Sequence, residues 1–314
     1  MQFPNSLSLK TLAEILGIPF VGNPDLLLSG LNEIHRVKPG EIVFVDHPKY
    51  FKKALESAAS CVIINEQVEC PPEKGLLISK DPFSSFNKLI LHFNPVSPFV
   101  TGQISPSAKI GKDTTIYPGV YVGNGVEIGE GCILYPNVVL YPGTRIGNGV
   151  IIHAGSVIGA DAFYYKKRED HFEKLITCGR TIIEDNVEIG ALCTIDRGVT
   201  ADTIIGAGSK LDNQVHIGHD TVTGKMCLIA AQAGVAGVVN VGNRVTLWGQ
   251  AGITSDVTLG DGSTVYAQSG VSGNTDPGKQ YFGSPAGEAR EKMKEIMSVK
   301  RIPDILEKLD KISK

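Results

Sequence analysis

No run of residues in this 314-residue chain approaches the 18 or more apolar positions that span a bilayer, which excludes an integral membrane segment. The opening Met1-Gln2-Phe3-Pro4-Asn5-Ser6 has neither a basic stretch nor an apolar core, so it does not read as a secretory leader. Charge of either sign is scarce. The 30 basic and 33 acidic residues leave a net charge of −3, which gives no overall pull toward nucleic acid or anionic lipid. The six cysteines (Cys61, Cys70, Cys132, Cys178, Cys193, Cys227) form no CxxC pair and no even ladder, and read as reduced thiols of a cytoplasmic protein. Cysteines and histidines lack zinc-like spacing, so no metal site is expected.

Glycine, by contrast, is abundant: 36 of 314 residues, against a typical share of about 7%. No Gly-X-Y period runs through these glycines, which excludes collagen, and 42% hydrophobic content excludes simple disorder. A different period is present. Every sixth residue from 104 is aliphatic: Ile104, Ile110, Ile116, Val122, Ile128, Leu134, Leu140, Ile146, Ile152 and Ile158. The frame resumes at Ile183, Ile189 and Ile195, slips by four residues, and runs from Ile205 to Val271 with Thr223 as its one non-aliphatic member, 25 hexads in all. A period of six fits neither an α-helix nor a meander of long hairpins. It fits a parallel β-helix in which each hexad supplies a short strand and a corner, and three hexads close one triangular coil.

On this reading aliphatic side chains stack inside and the corners take Gly and Asn, where left-handed or crowded backbone costs little. The hexads make about eight coils, and strands stacked roughly 4.8 Å apart give a prism about 40 Å long. Two interruptions must leave the coil, one around Ala160 to Arg180 and one near Asp196-Arg197-Gly198. Insertions in a solenoid sit on its faces and are candidate rims of a site.

Residues 1–100 lack the period. Leu7, Leu12, Ile15 and Leu16 predict a helix ending at Gly17, Ile42–Val45 and Cys61–Ile64 predict strands, and Phe83–Phe93 predicts a second helix. This is a small α/β domain, with Pro95, Pro98 and Pro106 marking the junction to the repeat region 101–285. Residues 286–314 predict a helical tail in two pieces broken at Pro303, with apolar positions at Met293, Ile296, Met297, Ile302, Ile305, Leu306, Leu309 and Ile312. Such a stripe needs a partner, and a threefold bundle of tails in a homotrimer supplies one.

The recurring Gly-X-Gly triplets fall on the hexad period and are corners, and Gly218 to Lys225 misses the P-loop spacing by one residue. Among the histidines, His35, His92, His153 and His171 read as surface or packed residues. His216 and His219 lie together in the polar run Leu211 to Asp220. His219, two places past the inward Ile217, is expected to aim outward toward a neighbouring subunit. An imidazole there can accept a proton near neutral pH. One coil further on is Gly237, whose bare amide can approach a reacting carbonyl, so the two positions read as base plus oxyanion donor.

The run Ile189-Gly190-Ala191 to Asp196-Arg197-Gly198, then Asp202-Thr203-Ile204-Ile205-Gly206, Asp212-Asn213-Gln214 and Ile217-Gly218-His219, resembles the UDP-3-O-acylglucosamine N-acyltransferases of lipid A synthesis. Phe44-Val45-Asp46-His47-Pro48-Lys49-Tyr50 resembles the uridine-binding segment of the same family. The resemblance implies a mainly β protein: a left-handed parallel β-helix of hexapeptide repeats with an N-terminal α/β domain and a C-terminal helical tail. The hand comes from the resemblance alone, since it breaks the usual right-handed crossover rule.

What it implies chemically is transfer of a 3-hydroxyacyl chain from acyl carrier protein to the 2-amino group of UDP-3-O-acylglucosamine. No resident cofactor is needed, because 4'-phosphopantetheine arrives on the carrier protein. His219 matches the general base and the Gly237 amide the oxyanion donor. Phe44 and Tyr50 would sandwich the uracil, with His47 where the family usually has asparagine, and Asp212 and Asn213 would sit beside the base near the pantetheine arm. Where better-known members carry a second histidine two coils beyond the base, this chain has Ser255-Asp256, so an imidazole role there is either lost or taken by Asp256. The family's Gly-Asp-Gly-Phe loop reads Asp161-Ala162-Phe163-Tyr164 and runs into a basic insertion. Arg290, Lys292, Lys294, Lys300 and Arg301 are candidate contacts for the acidic carrier protein. A related UDP-N-acetylglucosamine O-acyltransferase lacks the separate N-terminal domain, and a non-catalytic β-helix scaffold leaves the polar run at Asp212 to Asp220 unexplained.

Overall fold

The computed structural model describes residues 1–95 and 103–312, so Pro98 and the expected boundary at residue 100 lie outside the described residues. The chain divides into two compact units. One gathers the N-terminal residues together with Asp161–Thr181 and Asp196–Thr203, and the other holds the remainder including the C-terminal helices. Both interruptions of the hexad frame therefore belong to the N-terminal unit.

The N-terminal unit is a mixed six-stranded sheet in the order β1 (Gln2–Ser8), β3 (Leu27–Leu31), β4 (Glu41–Val45), β5 (Cys61–Ile64), β6 (Gly75–Ile78), β2 (Phe20–Val21). Strands β3 to β6 are parallel, and β1 and β2 close the edges antiparallel. All four residues of β5 are buried, as a continuous apolar run in a central parallel strand requires. Helix α1 (Leu9–Leu16) starts two residues later than the hydrophobic pattern suggests. Leu7 is in β1, and the Ser8 side chain caps the helix by accepting from the Thr11 amide at 3.2 Å. Helices α2 (Phe51–Glu56) and α3 (Pro82–Phe93) follow β4 and β6. Ala162, Leu175 and Val199, from the two interruptions, join the same apolar core as Leu9, Phe86 and Leu89.

The second unit is a parallel β-helix of three sheets, with eight, ten and eight strands. Register aligns the inward aliphatics of successive coils, as in Val122–Leu140–Ile158 and Leu134–Ile152–Ile189–Leu211. Partners lie 18 residues apart except at the interruptions, where Arg145 pairs with Ile182 and Thr194 with His216, and in the last coil, where Thr264 pairs with Gln280. Ile104 and Ile110, at the start of the coil, remain 43% and 41% exposed because no described coil lies beneath them.

Each corner has two special positions, not one. The residue after the inward aliphatic lies against the backbone of the next coil: a β-carbon on Gly190 would come within 2.5 Å of the Asp212 carbonyl carbon. Two places further on, the backbone is left-handed, with φ of 56° at Asp220, 62° at Gln214 and 67° at Asp256. The place after that is a small buried residue facing inward. Cys132, Cys193 and Cys227 occupy it, each donating its thiol to a carbonyl of the next coil at 3.1–3.2 Å. Burial pushes all three thiols up, so they are inert packing residues. None of the six cysteines is in a disulfide.

The tail forms α4 (Ala289–Lys300) and α5 (Ile302–Ile312), with Pro303 in the first turn of α5, where a missing N–H costs nothing. Among the described residues no helix is long and apolar enough to cross a membrane.

Candidate functional site

His219 and Asp220 lie at the corner that follows the strand His216–Ile217. Asp220 is a left-handed corner residue and, unlike Gln214 and Asp256 at the equivalent position, it is fully buried. Its Oδ2 accepts from His219 Nδ1 at 2.9 Å. A carboxylate on Nδ1 fixes the ring and makes Nε2 the acceptor nitrogen of the neutral imidazole. The His219 side chain is 13% exposed, and its ring folds over Gly237 in the coil above. A β-carbon at 237 would meet Nε2, Cε1 and Cδ2 of the ring at 2.6, 2.8 and 2.9 Å. Glycine at 218 is needed for the same stacking, since its β-carbon would meet the Gly237 nitrogen at 2.6 Å.

Thr221 orients the Gly237 amide. Its Oγ1 donates to Ala236 O at 2.9 Å, drawing that carbonyl into the coil. In a planar trans peptide the N–H points opposite the C=O, so the Gly237 N–H faces outward. Amides at the same corner position elsewhere, those of Ala191, Lys225 and Asn243, are taken by side chains of the following coil at 2.7–3.0 Å. Among the described residues no acceptor takes the Gly237 N–H. An oriented donor thus sits beside an acceptor nitrogen, which suits a reaction that removes a proton and builds negative charge on an oxygen.

Asp212 and Asn213 do not join His219. They form the corner after strand Lys210–Leu211, one side of the triangle away in the same coil. There Asp212 Oδ1 accepts from the Asn213 amide and Asn213 Oδ1 from the Ala191 amide, both at 2.7 Å. They line a groove of about 580 Å³ with His153, Lys210, Leu228 and Trp248. The groove is a gap in a column of rings. The residue after each inward aliphatic on this side is Tyr117, Tyr135 or His153 in the early coils, stacked 5.2 and 4.8 Å apart, and Trp248 and Tyr266 in the late ones. Between them stand Gly190, Asp212 and Ala230. Sequence reasoning did not find this groove, although the 18-residue spacing of its walls carries the signal.

His216 shares a 2.8 Å hydrogen bond with Thr194 on the exposed face, away from the His219 pair. Ser255 continues the column of His219 and Gly237, while Asp256 is the exposed left-handed residue beside it.

In the N-terminal unit, Phe44 is half-buried on β4, with Phe83 and Phe86 against it at ring separations of 5.8 and 4.9 Å. His47 caps the short turn Pro48–Tyr50, its Nδ1 accepting from the Lys49 amide at 3.2 Å. Tyr50 is 49% exposed, with its ring 6.1 Å from that of His47. Asp46, between Phe44 and His47, accepts at its main-chain oxygen from Asn65 Nδ2 at 3.1 Å.

The repeat region matches the bacterial transferase hexapeptide model at residues 107–141 and 125–160, which places the chain in the hexapeptide transferase class. Among solved structures it is similar to LpxA, a UDP-N-acetylglucosamine acyltransferase from Bacteroides fragilis, at 26% identity and TM-score 0.54 over 61% of this chain and 74% of that one. A second UDP-N-acetylglucosamine acyltransferase matches at 28% identity and TM-score 0.52, over 65% and 79%. The coil is accordingly the left-handed β-helix. Residues 25–92 of the N-terminal unit match the model for UDP-3-O-(3-hydroxymyristoyl) glucosamine N-acyltransferase, LpxD. UDP-3-O-acylglucosamine N-acyltransferases from an Anaeromyxobacter species and from Methylobacillus flagellatus are 34% and 36% identical, over 76% and 74% of this chain and 76% and 73% of theirs. This chain belongs to the UDP-3-O-acylglucosamine N-acyltransferase family.

Proposed function

We propose that the protein transfers a 3-hydroxyacyl group from the thioester of an acyl carrier protein to the 2-amino group of UDP-3-O-acylglucosamine, with His219 as the base. The observation that carries the reading is the Asp220–His219 pair folded over the outward-facing Gly237 amide. The substrate amine attacks the thioester carbonyl carbon while His219 Nε2 takes its proton, and the C–N bond forms. The Gly237 N–H holds the oxyanion. Collapse breaks the C–S bond, and the imidazolium returns the proton to the departing thiolate, so the ring ends neutral. Asp220 stabilises the imidazolium between the two steps.

The N-terminal unit binds the nucleotide, with Tyr50 and the uncovered side of Phe44 stacking on uracil and His47 beside them. The match at residues 25–92 supports this reading over the O-acyltransferase alternative. The groove at Asp212 and Asn213 receives the phosphopantetheine arm, and Asp256 contributes a carboxylate where relatives use an imidazole. No resident cofactor or metal is needed. Exposed Met293, Ile296, Met297, Ile305, Leu306 and Leu309 on α4 and α5 support a homotrimer held by its tails. The protein works in the cytoplasm, where carrier-bound acyl chains are made.

The test is an assay of purified protein with UDP-3-O-acylglucosamine and a panel of 3-hydroxyacyl carrier proteins, followed by amide formation. His219→Ala is expected to lower turnover by about 10³-fold with an unchanged circular dichroism spectrum. Turnover surviving in that variant removes His219 from the base role, and no turnover with any donor leaves the scaffold reading.

A further inference from the structure

The 19 surplus residues between Arg145 and Ile182 form a hairpin, Tyr165–Lys167 paired with Phe172–Lys174, that belongs to the N-terminal unit. Its two inward cations converge on the segment read above as the uridine site. Lys166 Nζ donates to the Asp46 carboxylate and lies 3.9 Å from Asp81 Oδ1. It also lies 5.5 Å above the Phe83 ring, with the Arg168 guanidinium over the same ring at 5.8 Å. Phe83 in turn meets Phe44 edge-on, at 5.8 Å and 88°. Arg168 donates to Asp81 at 2.7 Å and to Glu173, and Ser84 Oγ donates to Glu173 at 3.1 Å. Asn87 completes the attachment, donating to Lys174 O at 3.1 Å and accepting from the Ile176 amide at 2.9 Å.

One hairpin therefore touches both sides of the nucleotide segment. It reaches the Asp46 side chain through Lys166 and the back of Phe44 through Phe83, while Asn65 holds the Asp46 main chain. These groups are about three-quarters buried: side-chain exposure is 26% for Lys166, 23% for Arg168 and 32% for Asp46. An ion pair at this depth is screened less than a surface pair and is oriented by the stacked ring beneath it.

We infer that Lys166 is a positioning residue for nucleotide binding: by anchoring Asp46 and covering Phe83 it holds Phe44, His47 and Tyr50 in the geometry that receives the uracil of a uridine diphosphate. This rests on the nucleotide role given above to that segment. The alternative use of the same ammonium is direct contact with the diphosphate. Asp46→Asn separates the two, because a lysine released from its carboxylate would bind phosphate as well or better.

The experiment titrates the full-length protein with UDP by calorimetry and measures KM and kcat for the UDP-sugar, in wild type, Lys166→Met, Lys166→Arg and Asp46→Asn. Lys166→Met and Asp46→Asn are each expected to weaken UDP binding and raise KM about fivefold, the scale of one partly buried ion pair. kcat should stay within about twofold, Lys166→Arg should recover most of the loss, and the double variant should be no worse than either single one. Unchanged affinity in Lys166→Met, or a fall in kcat at constant KM, overturns the inference. Tighter UDP binding in Asp46→Asn overturns it in favour of phosphate contact. If wild type itself binds no UDP, the nucleotide role of the segment fails and the inference falls with it, an outcome distinct from wild-type binding that Lys166→Met leaves intact.

Discussion

Gly237→Ala tests the catalytic geometry with the smallest perturbation available. The backbone at 237 is not left-handed, so alanine adds no φ strain there. The new β-carbon would lie 2.6–2.9 Å from three ring atoms of His219, against an ordinary carbon contact of about 3.5–4.0 Å. Relief requires the ring to withdraw by about 1 Å. Asp220 is fully buried at a corner and cannot follow, so the 2.9 Å bond to Nδ1 stretches or bends. Misplacement on this scale costs about 100-fold, or roughly 2.7 kcal/mol in the barrier. The Gly237 N–H itself is retained, so the loss reports ring position and not removal of the oxyanion donor. The assay is steady-state amide formation beside a thermal melt. The expected result is kcat down about 100-fold, KM for the UDP-sugar unchanged, and little change in Tm. A variant keeping a third or more of wild-type kcat would show that the ring seen over Gly237 is not the working base.

Thr223→Val should destabilise the coil even though it completes the aliphatic frame. Thr223 Oγ1 accepts the Gly206 N–H at 2.9 Å in the core, so valine leaves that amide unsatisfied at a cost of about 1–3 kcal/mol, read as a lower denaturation midpoint; an unchanged midpoint refutes the account. The N-terminal unit should lose stability in acid through Asp81. Burial alone would raise its carboxyl, but hydrogen bonds from the Ser84 amide and hydroxyl, together with Arg168, outweigh this and hold it below the usual range. A depressed folded value means the contribution is complete above the unfolded value near 4 and is lost as pH falls through the lower folded one. Melts between about pH 6 and 2.5 should therefore fall less steeply in Asp81→Asn than in wild type, and parallel curves would remove Asp81 from the acid response.

The coil was legible because its constraint is periodic: one inward position in six must be aliphatic, and 24 of 25 are. The exception, Thr223, is polar for a reason no period reveals, since it replaces a carbonyl in the ladder. The same period concealed the buried small position that explains Cys132, Cys193 and Cys227, because Val, Thr, Ser, Ala and Cys all fill it and no single residue type repeats. His219 and Gly237 were found because they are 18 residues apart in one column. The hydrogen bond from His219 to Asp220 was not read from the sequence, because it depends on a corner carboxylate that is buried where equivalent corner residues are exposed. The grip of Lys166 on Asp46 spans 120 residues and two segments of unrelated pattern, so nothing local announces it.

The separation of Asp212 and Asn213 from His219 has a consequence for how a site is completed. Both lie in the same coil, on corners that face different directions. If the Asp212 groove takes the donor arm as proposed, that arm must cross a side of the prism to reach the His219 of the same chain. The trimer proposed above would complete the site if its threefold axis sets the His219 corner of one subunit against the groove of the next. Complementation distinguishes the two arrangements. His219→Ala and a variant filling the groove, Ala230→Trp, should each be nearly inactive alone. In trimers reassembled from an equal mixture, each interface draws its histidine corner and its groove corner independently. About one interface in four is then intact, so about a quarter of wild-type activity should return. If one chain supplied both corners, no subunit in the mixture would be intact and activity would stay at the level of the single variants.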